Sequence, residues 1–120
     1  MRTKLITVVE TFAFLRQAQP IWTDDERAAL VDYMARNPES GDVIPGTGGI
    51  RKMRWGRAGS GKRGGARVVY FYYHSDAPLY LLLAYAKASA EDMTAQQQKT
   101  VVAVVGALKQ LHPPLKARKE

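Results

Sequence analysis

At 120 residues the chain has room for one domain and one modest core, with roughly two-thirds of its unfolded surface buried. It has no cysteine, which excludes disulfides and thiolate metal sites, and its two histidines make no metal site by themselves. A net charge of +7 with a pI near 9.9 points to an acidic or phosphate-rich partner, and no apolar run reaches the ~20 residues a membrane span needs. The start, Met1-Arg2-Thr3-Lys4, leads into a short apolar run broken at Glu10, with no small-residue cleavage site after it. These features are expected of a cytoplasmic protein.

Leu5 to Phe12 is rich in Ile, Val, Thr and Phe and reads as a first strand. Phe14, Leu15 and Ala18 then follow at helical spacing, and Pro20 ends that helix. Thr23-Asp24-Asp25-Glu26 is a capping box, and its carboxylates suit the positive end of a helix dipole. Ala29, Leu30, Tyr33 and Met34 form the expected buried stripe of this second helix, which Asn37-Pro38 stops. Glu39 to Gly49 is dominated by glycine and proline and reads as an ordered surface loop. Strands are expected at Ile50 to Trp55, Arg67 to His74 and Leu79 to Lys87, the last two joined by the turn His74-Ser75-Asp76-Ala77-Pro78. A last helix runs from about Thr94 to Leu111, with Val101, Val104, Val105 and Leu108 inward, and Pro113-Pro114 ends it. The expected class is α+β: a small antiparallel sheet with N-terminal helices and a C-terminal helix. Residues 1–112 form the domain, and 113–120 a basic tail.

The charge is concentrated. Arg51, Lys52, Arg54, Arg57, Lys62, Arg63 and Arg67 fall within seventeen residues that contain no acid, and the rest of the chain carries eleven basic and eleven acidic residues. Strand alternation puts Lys52 and Arg54 on the face opposite Met53 and Trp55, which seek a core, and puts Arg51 with Met53 and Trp55. Arg67 shares a side with Val69, Phe71 and Tyr73, and Lys87 shares one with Leu83 and Tyr85. If the strand ends converge, Lys52, Arg54, Arg67 and Lys87 line one cationic surface, which requires a register that spacing does not set.

Other motifs have plainer explanations. Gly56 to Lys62 satisfies G-x-x-x-x-G-K, but Arg63 stands where a P-loop needs Ser or Thr, and a strand rather than a helix follows. Contiguous His74, Ser75 and Asp76 cannot orient one another as a hydrolase triad and read as a turn.

The stretches G-D-V-I-P-G-T-G-G-I-R-K-M-R-W, K-R-G-G-A-R-V-V-Y and L-L-A-Y-A-K-A-S-A-E-D-M-T, in this element order, resemble the RelE/HigB family of toxins from bacterial type II toxin–antitoxin pairs. The resemblance implies a microbial ribonuclease-like fold that needs no metal or cofactor. It also implies an mRNA interferase that enters the ribosomal A site and cuts mRNA, and a cognate antitoxin that silences it as a hetero-oligomer. The family's catalytic cations fall on Lys52, Arg54, Arg67 and Lys87, with Arg51, Arg57, Lys62 and Arg63 as RNA-binding residues. Arg54 and Arg67 suit phosphate clamping, and Lys52 or Lys87 proton transfer, because crowded cations favour a neutral amine. Ala88 and Met93-Thr94 depart from the family's arginine and tyrosine, so the choice of acid and base stays open. Two alternatives also stay open: a ParE-like gyrase inhibitor of the same fold, and a non-catalytic RNA- or ribosome-binding module.

Overall fold

Residues 5–56, 65–86 and 93–114 are described by this computed structural model. Their elements are β1 (Val8–Glu10), α1 (Phe12–Ala18), α2 (Asp24–Arg36), β2 (Asp42–Val43), β3 (Ile50–Trp55), β4 (Ala66–Phe71), β5 (Leu79–Tyr85) and α3 (Ala95–Leu111). The sheet is ordered β1-β5-β4-β3-β2 and is antiparallel except where β1 lies parallel to β5. The expected α+β class holds.

Thr11 makes the first strand shorter than its composition suggests. Its hydroxyl accepts from the Phe14 N–H at 3.2 Å and donates to the Leu81 carbonyl at 2.8 Å, so it caps α1 while tying it to β5. Phe12 is therefore helical and exposed. The Glu39 to Gly49 segment differs from the expected loop by containing β2, which pairs Asp42 with Lys52 and Val43 with Arg51. Its tight return to β3 depends on glycines: Gly48 and Gly49 adopt φ of 83° and 111°, a region costly for residues with a Cβ.

The sheet is covered on both faces. On one, Phe14, Ala18 and Trp22 join Leu30 and Met34 over Val68, Tyr70, Leu79 and Leu81. On the other, Val101 and Val105 of α3 close over Ile50, Val69, Phe71, Leu82 and Leu83. The helical stripes are narrower than expected. Ala29 and Tyr33 of α2 are exposed, and Val104 of α3 is 40% exposed. Each lies one position beside a buried residue, roughly 100° around the helix, and a single ridge on each helix meets the sheet. Capping boxes start both long helices, at Thr23 with Glu26 and at Thr94 with Gln97.

Tyr70 fastens the segment before β2. Buried in the sheet, its hydroxyl donates to the Pro38 carbonyl at 2.9 Å and accepts from the Gly41 N–H at 2.8 Å. Gly41 has to be glycine, because a Cβ there would stand 2.8 Å from the Tyr70 ring and 3.0 Å from the Lys52 carbonyl.

Candidate active site

The register of β3 against β4 decides which cations meet. Arg54 lies directly opposite Arg67, and Lys52 lies opposite Val69. Met53 and Trp55 pack with the α1–α2 core, so alternation sends Lys52, Arg54 and Arg67 to the α3 side. The Ile44 N–H donates to the Ile50 carbonyl at 2.8 Å, which makes the backbone groups of Ile50, Lys52 and Arg54 point away from β4. Arg54 and Arg67 are therefore a non-hydrogen-bonded pair, the close kind, with Cα atoms about 4.5 Å apart.

Two like charges in that position destabilise a sheet. At about 6 Å, with screening between that of water and of a protein surface, the repulsion is on the order of 1 kcal/mol. No hydrogen bond or ion pair among the described residues engages the Arg54 side chain, which is exposed. Arg67 is half-buried, and its Nη1 donates to the Gly65 carbonyl at 3.1 Å, which orders the guanidinium beside Arg54. Helix α3 packs over Ile50, Val69, Phe71, Leu82 and Leu83 of this face, and Arg54 stays exposed. An oxyanion placed between the two guanidinium groups would turn their repulsion into two charge-assisted contacts.

Strand β5 adds a residue beside the arginine pair. Its pairing with β4 shifts between Val69 and Tyr70, so that Leu82 is an extra residue, and both Leu82 and Leu83 join the α3-side core. Leu79 and Leu81 face α1 and α2, whereas Leu83 and Tyr85 face α3. Tyr85 thus comes directly opposite Arg67. Strict alternation from Leu79 would group Leu79, Leu81, Leu83 and Tyr85 on one side. The available hint was the unbroken run Leu81-Leu82-Leu83-Ala84, which has no alternation to read. The N–H of Ala84, beyond the reach of β1, is satisfied by the Gln17 side chain at 2.9 Å.

The remaining cations are placed differently. Lys52 is half-buried beside a cavity of about 320 Å³ shared with Asp42, its cross-strand neighbour, and with Met93 and Gln98. Arg51 lies on the α1–α2 side, where Nη1 donates to the carbonyls of Gly41 at 2.7 Å and Glu39 at 3.2 Å. That makes it a tie for the segment before β2. Arg57, Lys62, Arg63 and Lys87 lie outside the described residues, as does Ala88. His74 to Asp76 is a turn, with the His74 Nδ1 accepting from the Asp76 N–H at 3.1 Å and its Nε2 against the His112 carbonyl at 2.8 Å. Among the described residues no three His, Asp or Glu side chains gather as metal ligands.

Against solved structures, the chain matches a free-state structure of the E. coli toxin RelE carrying two arginine-to-alanine substitutions. The TM-score is 0.51, with 14% identity over 72% of this chain and 88% of that one. The fold is RelE-like. No family model matches the chain. At this identity the likeness to RelE carries the architecture, and the roles of side chains rest on the geometry above. The Thr94 hydroxyl accepts from the Gln97 N–H at 3.1 Å and caps α3. A small hydroxyl at this position serves the helix start, which a tyrosine could not do in the same way. Among the described residues no helix is long and apolar enough to cross a membrane.

Proposed function

We propose that the protein is a toxin of a toxin–antitoxin pair, acting in the cytoplasm as a ribosome-dependent endoribonuclease on mRNA in the A site. The observation that carries this reading is the Arg54–Arg67 pair, two like charges held opposite each other in a RelE-like sheet. A sheet gains nothing from that pairing, and a phosphate gains two fixed donors.

In the proposed reaction the ribose 2′-oxygen attacks the adjacent phosphorus and the bond from phosphorus to the 5′-oxygen breaks. A base takes the 2′-hydroxyl proton, and an acid protonates the leaving 5′-oxygen. The products are a 2′,3′-cyclic phosphate and a 5′-hydroxyl. Arg54 and Arg67 stabilise the charge that grows on the non-bridging oxygens. Lys52 and Lys87 are the candidates for proton transfer, and Arg57, Lys62 and Arg63 for holding the RNA backbone. Positioning of the mRNA by the ribosome supplies part of the rate, so few protein groups are required. A cognate antitoxin silences the toxin by covering or obstructing this face.

Primer-extension mapping of mRNA ends after brief induction tests the reading. Breaks in register with codons are expected. DNA damage without mRNA breaks would instead mark a gyrase inhibitor of the same fold, and growth arrest with neither would mark a non-catalytic binder.

A further inference from the structure

A second feature lies around the edge of the sheet from the arginine pair. Beyond β2, the outer edge of β3 opens into a cavity of about 560 Å³ lined by Tyr33, Ser40, Met53, Arg54, Trp55 and Gly56. Its wall is aromatic: the Tyr33 and Trp55 rings lie 5.3 Å apart, tilted by 43°. Trp55 is pinned by its Nε1 donating to the Glu26 carbonyl at 3.3 Å, and Tyr33 remains 37% exposed. We infer that this groove is a stacking site for one nucleobase of single-stranded RNA, adjacent to the phosphate held by Arg54 and Arg67. The inference rests on the ribonuclease reading above.

Three features favour a nucleotide over an apolar side chain. Arg54 belongs to both places: its side chain stands on the cationic face, while its backbone N–H and C=O point away from β4 toward the groove. Those groups offer the edge of a base one donor and one acceptor. The Ser40 hydroxyl, which donates to the Asn37 carbonyl at 2.9 Å, supplies a further polar group as an acceptor. The rim carries Arg54, which in the sequence belongs to a run of seven cations without an acid in a chain of net charge +7, so the complementary occupant is polyanionic. Rigid aromatic faces beside such charge are how single strands are held without a base code.

The test is binding of short single-stranded RNAs to the whole protein by anisotropy at low salt, with an abasic residue moved through each position. Loss of the stacked base is expected to weaken binding about five- to 150-fold at one position only. Tyr33→Ala should lose a matching factor on intact RNA and nothing more on that abasic RNA. Tyr33→Leu, which keeps an apolar contact with Trp55 but presents no ring, should behave in the same way, and Tyr33→Phe should bind as wild type. The inference is overturned if no abasic position matters, or if both Tyr33 variants bind every RNA as wild type does. It is equally overturned if those variants weaken only the complex with the antitoxin, which would make the groove a protein contact. Arg67→Ala separates the two readings. Impaired single-turnover cleavage by Arg67→Ala, with every RNA bound as wild type by Tyr33→Ala, removes the stacking site and leaves the ribonuclease reading standing. Wild-type cleavage by Arg67→Ala together with wild-type binding by Tyr33→Ala removes the two together.

Discussion

Replacing Arg67 with alanine should make the protein a poorer catalyst and a slightly more stable fold. Arg67 faces Arg54 across a close, non-hydrogen-bonded position, so the native sheet carries their repulsion. Removing one partner should recover up to about 1 kcal/mol, set against the lost Gly65 carbonyl contact, worth about as much or less at a half-exposed site. The net change in stability should therefore lie between about zero and 1 kcal/mol in favour of the variant. Catalysis should move the other way. Loss of one preorganised donor to a developing oxyanion costs about 2.7–4 kcal/mol, or roughly a hundred- to thousandfold in rate. The assay is single-turnover cleavage on programmed ribosomes beside ribosome affinity and urea unfolding of the same variant. Arg67→Lys should also be impaired, because a single ammonium cannot reproduce the two-pronged donor. Arg57→Ala should act mainly through binding. Equal losses of affinity and cleavage would make Arg67 a docking residue. A clear loss of stability in Arg67→Ala would refute the idea that the pair is strained for function.

Tyr70→Phe should cost about 1–3 kcal/mol in urea unfolding, since it strands the Gly41 N–H and the Pro38 carbonyl. Burial raises the Tyr70 hydroxyl above its ordinary value of 10.0, against an opposing hydrogen bond from Gly41. The unfolded chain therefore sheds this proton first, so the Tyr70 contribution should be intact below about pH 10 and fall as pH rises toward the higher native value. Unfolding curves at pH 8 and above 10 check this, and an equal pH dependence in Tyr70→Phe would count against it. Gly41→Ala should lose about 1–3 kcal/mol by overpacking against Tyr70, and a wild-type melting temperature would contradict the close approach. Binding to ribosomes or RNA should weaken with salt at a slope of about −4 to −6 in log K against log salt, if most of the seven clustered cations reach phosphates. A slope near zero would show that the cluster does not contact nucleic acid.

Much of the fold was legible in local chemistry. Thr23 with Glu26 marked the start of α2, Pro113-Pro114 the end of α3, and the β-rich runs marked β3, β4 and β5, because caps, prolines and alternation act within a few residues. Alternation also assigned Lys52 and Arg54 to one side of β3 and Met53 and Trp55 to the other, as the two cores require. Contacts between distant segments were out of reach of such rules. The two residues of β2 are too few for a pattern, and they pair only because the glycine turn brings them back onto Arg51 and Lys52. Whether Arg54 meets Arg67 depends on register, and a slip of one residue would have put Arg54 opposite Ala66 or Val68. The bulge at Leu82 was hidden in an all-apolar run, yet it turns Tyr85 toward Arg67. The order of the elements, β2 apart, belongs to the sequence. Which charges face each other across the sheet was decided by tertiary pairing, since a period of two carries a side but no register.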